Sequence, residues 1–584
     1  MGHSTTIDIR RPQRWDEPFD PAMHDRDVQW LAKLPPFAAM DREAFPASTP
    51  LEGVLKNDCR IRHVQAGEVI VREGDYGNSA FLIVAGSVRV VLGQLPPDDL
   101  GRVQTERQGW LSAVASLWRR PLYPEVRSID QITPGGASRV KQHGDTASIF
   151  LQDFDGIIDR HNTLQIGPGE MFGEVSAMYR APRTSTVVAD SDATLIEIRW
   201  QGLRLLRRDR ALADQLEKNY RTHWLMVHLR ETPLFRFLPE NALQAVADAT
   251  LLRSFGRLEW NSDFRRTRQL PPAKQIESEP LVAMEGHLPT DLLLIRSGFA
   301  RVCSRYGEGH RTLAYLGKGH MFGLREIVHN TFRPPNQPPI TLQESLRAVG
   351  FLDTLHIPIE VVAQHVLPFI RRDELPDPVL RDDQTARAEN DIAAETPTGM
   401  LEFIVQERLN NGRQAMVIDL NACTRCDDCV KACATTHDGN PRFTRRGPAN
   451  DGIQFTQACM HCADPVCMIG CPTGAISRHA ETGTVSVHEN ICIGCGTCAA
   501  ACPYENIQMR AVRDRNGRLY FDESTSLPIM KATKCDMCQS QPSGPACQAA
   551  CPHDALMRLD LGNLEELSDW MHRRRFTTRG SRDA

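Results

Sequence analysis

No stretch of the 584 residues stays apolar for the roughly eighteen positions that a membrane-crossing helix needs, so the chain is expected neither to span a bilayer nor to anchor itself by a helix. Charge of one sign is also missing. Lysine plus arginine number 68 and aspartate plus glutamate 73, a net charge of −5 with no long single-sign block, which removes the electrostatic basis for a nucleic-acid partner. Arg10 and Arg11 stand side by side near the N-terminus, but no apolar run follows, so no secretory or twin-arginine signal is read there. Cysteine is nearly absent before residue 423: only Cys59 and Cys303 occur, and both fit small buried hydrophobes. A secreted disulfide scaffold, short and cysteine-dense throughout, is thereby excluded. A dinucleotide-binding fingerprint, a P-loop and a nucleophile triad are lacking too, so no catalytic residue is expected in this chain.

What is present begins with length enough for three or four domains. Two segments resemble one another. The first runs through "LAKLPPFAAMDREAF" (31–45), "GEVIVREGDYGNSAFLIVAGSVRVV" (67–91) and "LQIGPGEMFGE" (164–174); the second through "RETPLFRFLPENAL" (230–243), "PLVAMEGHLPTDLLLIRSGFARV" (280–302) and "LAYLGKGHMFG" (313–323). Both show short β-branched runs of period two broken by glycines, as in strands turning the corners of a small antiparallel barrel, and an internal duplication is the simplest account. An amphipathic helical pattern over 203–229 flanks the first copy. Residues 92–162 interrupt that copy and carry Trp110 and Trp118, a surface insertion or a docking surface for a partner. Residues 372–396 are polar, acidic and poor in aromatics, the composition of a linker.

The remaining sixteen cysteines fall in four sets between residues 423 and 551. They are Cys423, Cys426, Cys429 and Cys433; Cys459, Cys462, Cys467 and Cys471; Cys492, Cys495, Cys498 and Cys502; and Cys535, Cys538, Cys547 and Cys551. Three closely spaced thiolates can grip one face of a cubane cluster while the fourth, followed by proline in three of the sets, turns to a different cluster. A zinc site closes with four ligands and has no use for this repeated pattern. Such ligation suits a reducing compartment, and a cytoplasmic location is expected. Gly474, Gly494 and Gly496 would let backbone amides approach cluster sulfurs, and Lys431, Lys531 and Lys534 would act by charge unless simply exposed. His437 and His461, close to these ligands, read as packing or hydrogen-bonding residues.

Residues 172–189, "FGEVSAMYRAPRTSTVVA", supply a second kind of site. A phosphate diester anion wants a guanidinium and a cluster of amide donors, and a ribose hydroxyl wants a carboxylate acceptor. With Phe172, Gly173, Glu174, Pro182, Arg183 and Thr186 in register, residues 30–230 resemble a cyclic-nucleotide-binding domain. That resemblance implies that Glu174 bonds the ribose 2'-hydroxyl, that Arg183 bonds the cyclic phosphate, and that Gly173 and Thr184 add donors; the ligand would be cAMP or cGMP, Thr184 pointing toward guanine. The reading without a ligand pairs Arg183 with Glu174. The second copy has Leu324 in place of the glutamate, and Arg347 lies too far along the chain to transfer, so it is expected to serve as scaffold or partner surface.

The cysteine-rich segment in turn resembles the four-cluster ferredoxin-like subunits of molybdopterin oxidoreductases and of some hydrogenases. The resemblance implies four [4Fe–4S] clusters. Their ligands would be Cys423, Cys426, Cys429 with Cys551; Cys433 with Cys535, Cys538, Cys547; Cys459, Cys462, Cys467 with Cys502; and Cys471 with Cys492, Cys495, Cys498. It also implies a catalytic oxidoreductase partner of the molybdopterin or hydrogenase type. The expected fold class is multidomain α+β and mostly β: two jelly-roll-like barrels of the cyclic-nucleotide-binding type with flanking helices, then a double ferredoxin-like domain. Expected boundaries are an extension at 1–29, barrels at 30–230 and 231–371, a linker and helix at 372–412, the iron–sulfur domain at 413–562 and a tail at 563–584. The expected function is an electron-transfer subunit with a regulatory or docking module; the alternative is a redox and cyclic-nucleotide sensor.

Overall fold

The computed structural model describes residues 6–571 except 93–94, 97–99, 101–126, 129–137, 144–145, 152–153, 181, 222–224, 307–308, 372–374, 377–397, 515, 540, 542–543 and 564–565. Trp110, Trp118, nearly all of the linker and most of the C-terminal tail lie outside these residues. The chain has mixed helix and sheet content and divides into two compact units, neither continuous in sequence. One comprises Met1–Asn219, Asp427–Phe443 and Cys467–Cys551; the other comprises Tyr220–Cys426, Thr444–Val466 and Pro552–Ala584. Each therefore joins one of the duplicated β regions to part of the cysteine-rich segment.

In the first unit the β region is built of two four-stranded antiparallel sheets. One has the order Met171–Phe172, Ser79–Ala85, Ala193–Arg199, Cys59–Val64; the other has Val69–Val71, Thr186–Ala189, Val88–Leu92, Asn162–Ile166. The chain crosses between sheets at Gly86, which has φ +80°, and a Cβ there would stand 2.3 Å from the carbonyl oxygen of Asp192. No side chain fits this corner, which is why a glycine breaks the apolar run. Phe81, Phe172, Val188, Leu195 and Ile196 are fully buried, and the Phe81 and Phe172 rings stack at 5.0 Å. Burying each such side chain contributes roughly 1.5–3 kcal/mol before chain entropy is charged against it.

The described part of the insertion forms a three-stranded sheet of Arg127–Ser128, Thr146–Leu151 and Ser138–His143. It is not wholly a surface feature: Ile149, Leu151 and Ile157 are buried in one cluster with Val69, Val91 and Val188. The helical pattern beyond the strands is likewise broken into Trp200–Leu206, Arg210–Asn219 and Leu225–Glu231. The break comes at Asp209, whose carboxylate accepts the amide of Leu212 at 2.9 Å and so restarts the helix.

The second unit repeats the element order with longer strands. Its six-stranded sheet has Leu251–Phe255, Ser345–Pro358, Asp291–Tyr306 and Gly309–Leu316 in that order, with Leu281–Ala283 on the second and Met321–Phe322 on the third. The strand Asp291–Tyr306 runs through where the first region splits into two. Gly298, with φ +87° and a hypothetical Cβ 2.0 Å from the carbonyl oxygen of Phe351, stands where Gly86 does. Here the corner is a bend rather than a break.

The cysteine-rich residues of the first unit form the hairpins Ile476–Arg478 with Val485–Val487 and Gln508–Ala511 with Met530–Thr533, and the N-terminal strand Thr6–Ile9 pairs in parallel with Leu519–Asp522. In the second unit Ala415–Asp419 lies between Ile453–Phe455 and Leu556–Leu559 in an antiparallel sheet. Among the described residues no helix is long and apolar enough to cross a membrane.

Candidate metal centres and binding cassette

The first C-x-x-C loop of each of the four sets is wound the same way. The residue before the second cysteine of each loop, Arg425, His461, Gly494 or Met537, takes a left-handed conformation, with φ of 62°, 45°, 67° and 61°. Only one of the four is glycine, so three loops hold a conformation costing about 1–2 kcal/mol. Successive right- and left-handed residues turn backbone amides to one side, the arrangement that cradles an anionic group.

Within the first unit, Cys471, Cys492, Cys495 and Cys498 line a single cavity, walled otherwise by apolar side chains including Ile476, Val487, Met509 and Ala532. Burial, followed by the neighbouring Cys471, Cys492 and Cys495, pushes the Cys498 thiol up to about 12. Four cysteine sulfurs around one apolar cavity are a donor set that fits an iron–sulfur cluster. A second set gathers around Cys433. The helix Asp428–Thr436, which carries it, packs against Ala546–Ala549, which carries Cys547. Burial raises the Cys538 thiol, and Asp536, Cys535 and Cys433 add to the effect. The amide of Arg442 donates to Cys433 Sγ at 3.2 Å, and His437 Nδ1 lies 3.6 Å from the same sulfur.

His437 is a hydrogen-bonding residue, as expected: its Nε2 meets Asp536 at 3.2 Å, and that bond, then the one to Cys433, raises it to about 10. Burial opposes ionisation of Asp536, but His437 and Arg442 outweigh it and hold the carboxyl at about 2. The three lysines part company. Lys431 is exposed and paired with Asp428 at 3.3 Å; Lys531 reaches the carbonyl of Glu489. Lys534 is 3% exposed, and its ammonium donates to the carbonyls of Val485 and, at 3.1 Å, Cys535. Arg11, which sequence reasoning passed over, donates to the carbonyls of Ile493 and Gly494 at 3.3 and 3.0 Å. Nothing in the local pattern marks it, because its partners are nearly five hundred positions away.

The cassette is assembled in the same unit. Glu174 and Arg183 are both buried, and Gly173 opens the helix Glu174–Tyr179 with φ +77°. The guanidinium of Arg183 donates to the carbonyls of Gly173 at 2.6 Å and Ser79 at 2.7 Å. A Cβ on Gly77 would stand 2.2 Å from Arg183 Cζ, so that glycine makes room for the guanidinium. Thr184 is half-buried beside it, while the Thr186 hydroxyl accepts the amide of Glu73 at 3.1 Å. In the other unit Gly323 opens the helix Leu324–Phe332 with φ +90° in the same manner. Arg347 there donates to the carbonyls of Ile276 and Glu279, closing the end of the helix Pro272–Ser278.

Comparison with known proteins finds both kinds of domain. The profile of a 4Fe-4S dicluster domain matches residues 451–561, and that of a cyclic nucleotide-binding domain matches 147–209, which includes Gly173, Glu174, Arg183 and Thr184. The electron transport protein HydN of Escherichia coli K12 is 36% identical over 172 residues, covering 27% of this chain and 95% of HydN. The chain belongs to the HydN family of iron–sulfur electron-transport proteins. Hydrogenase-4 component A of the same organism is 31% identical over 158 residues, 23% of this chain and 76% of its own. The beta subunit of NADH-dependent phenylglyoxylate dehydrogenase of Aromatoleum evansii is 31% identical over 163 residues, 26% of this chain and 32% of its own. HydN covers 27% of this chain, so most of the chain lies outside what the two share.

Proposed function

We propose that the chain is an electron-transfer subunit holding four [4Fe–4S] clusters and serving a catalytic oxidoreductase of the molybdopterin or hydrogenase type in the cytoplasm. The observation that carries this reading is the cavity lined by Cys471, Cys492, Cys495 and Cys498 alone among titratable groups. Cys433, Cys535, Cys538 and Cys547 would hold a second cluster. Spacing and resemblance support Cys423, Cys426, Cys429 with Cys551, and Cys459, Cys462, Cys467 with Cys502, for the other two. Bound at these residues, an iron–sulfur core supplies one-electron storage. The chain's own part is to hold the sulfurs as thiolates, exclude water with Ile476, Val487 and Ala532, and place the buried Lys534 ammonium beside the ligand loop, where its charge favours the more negative, reduced state.

In this reading residues 30–230 and 231–371 are two barrels of the cyclic-nucleotide-binding type, the first taking cAMP or cGMP through Glu174, Arg183, Gly173 and Thr184, the second a scaffold. Iron and sulfide analysis of anaerobically purified protein tests the cluster count: about sixteen of each per chain are expected. About eight would refute the four-cluster assignment. In Cys498→Ser the count is expected to fall by about four, with loss of one set of electron paramagnetic resonance signals. The sensor reading is favoured by one observation: the cassette and the Cys471–Cys498 cavity belong to the same compact unit.

A further inference from the structure

Within the first unit, the segment Thr473–Gly483 runs from the cluster cavity to the back of the cassette. At one end, Thr473 lines the cavity, with its hydroxyl 3.9 Å from Cys471 Sγ, and its carbonyl accepts Arg199 at 2.6 Å. Arg199 is itself held by the buried carboxylate of Asp58 at 2.6 Å. At the other end, Arg478 is 2% exposed. Its guanidinium donates to the carbonyl of Arg180 in the cassette at 2.7 Å and covers the Tyr76 ring at 4.4 Å. The side-chain amide of Asn78 donates to the Arg478 carbonyl at 3.0 Å and accepts its amide at 3.4 Å. The Tyr76 amide bonds the Ala480 carbonyl at 2.6 Å, and Arg72 pairs with Glu481 at 2.6 Å.

The loop Arg72–Asn78 is therefore shared. On its inner side it is bonded to the cassette arginine, through the amide of Arg183 to the carbonyl of Asp75 at 2.7 Å and the amide of Gly74 to the carbonyl of Arg183 at 2.8 Å. On its outer side it holds Arg478 and Ala480. The next residue, Ser79, is the one whose carbonyl accepts the Arg183 guanidinium. The Ser79 and Gly173 carbonyls hold two of the five N–H donors of that guanidinium, so an anion that engages it competes with them for its position and weakens these bonds. The loop then relaxes at the point where it grips the segment leading to the cluster ligands.

We propose that Thr473–Gly483 is a strut coupling the cassette to the Cys471, Cys492, Cys495 and Cys498 set, so that a cyclic nucleotide at Arg183 and the redox state of that one cluster bias each other. This rests on the cassette being a nucleotide site. Thermodynamic linkage makes the effect reciprocal: whatever nucleotide does to the potential, reduction does to nucleotide affinity. The coupling falls on that one cluster and runs through these residues.

The test is calorimetry with cAMP and with cGMP on the anaerobically purified full chain, oxidised and dithionite-reduced, beside redox titrations followed by electron paramagnetic resonance. The expected result is an affinity for one nucleotide that differs at least threefold between the two redox states. By linkage one cluster's midpoint then moves by about 28 mV for a one-electron couple, the other midpoints staying in place. Arg478→Gln is expected to bind nucleotide as tightly, since Arg478 touches the Arg180 carbonyl and not the pocket, but to lose the difference between states. Glu481→Gln, a surface change that removes only the pairing with Arg72, is expected to reduce it and stands in if Arg478→Gln loses its clusters. Equal affinity in the two states, or an undiminished difference in these variants, overturns the coupling and leaves nucleotide binding intact. Absence of heat with either nucleotide overturns the nucleotide reading of the cassette and the coupling with it.

Discussion

The two β regions share one plan and diverge at the residues that matter for a ligand. In the first, Arg183 sits buried inside the cassette and donates to the Gly173 and Ser79 carbonyls. In the second, Leu324 opens the corresponding helix, and Arg347 is consumed in closing the helix Pro272–Ser278. The lesson is that a duplicated fold keeps the positions that shape its backbone, such as Gly86 and Gly298, more strictly than those that would contact a ligand. The corner fails without its glycine; the pocket can lose its charge and still fold.

The sharpest way to break that comparison is at the corners. Gly86→Ala and Gly298→Ala each place a methyl group within 2.3 Å of a backbone oxygen at positive φ, and each is expected to cost about 3–5 kcal/mol, the sum of the left-handed penalty and overpacking. Gly169→Ala, at φ +86° with open space around it, should cost only about 1 kcal/mol. Thermal unfolding followed by circular dichroism measures all three, and equal losses would show that the close approach is not what the glycines serve.

A smaller difference concerns pH. Burial first, then the charges of Lys318 and Arg296, lower His228 in the second unit to about 3, and its Nδ1 meets the Tyr220 hydroxyl at 3.2 Å. The unfolded chain takes up this proton near pH 6.5 and the folded unit only near pH 3, so stability is expected to fall as pH drops through that window. The slope is at most about 1.4 kcal/mol per pH unit. Denaturation midpoints of the parent and of His228→Gln across pH 7 to 4 should separate, the variant showing the shallower decline; parallel curves would remove His228 from the account. The smallest effect separates the two arginines. Arg347→Gln should cost about 1 kcal/mol, the worth of a helix-closing hydrogen bond, and leave nucleotide binding untouched, whereas Arg183→Gln should abolish it. Calorimetry with cAMP and cGMP on both variants distinguishes the roles.

Much of this was legible before any coordinates. Cysteine spacing of three positions is a local property of the chain, and the first C-x-x-C loops of the four sets wind alike. The cassette is legible for the same reason: Phe172, Gly173 and Glu174 lie in one short strand, turn and helix, and Arg183 follows four residues after that helix ends. The joining of the cysteine-rich residues to two units, each holding one β region, is not written in any local stretch of sequence. Local propensity cannot reveal this, since the bonds that join Asn78 to Arg478 span four hundred residues.

By itself, then, the sequence placed a 4Fe-4S type of domain at the cysteines and a cyclic nucleotide-binding type of domain at the cassette, because each depends on residues that are neighbours along the chain. Only the tertiary structure decided that Lys534 is buried rather than solvated, that Arg11 bonds the loop between Cys492 and Cys495, and that Arg183 spends two of its donors on carbonyls. It also decided that the segment after Cys471 is braced against the cassette. These follow from which surfaces exclude water against which others, a property of the folded whole that no window of sequence contains.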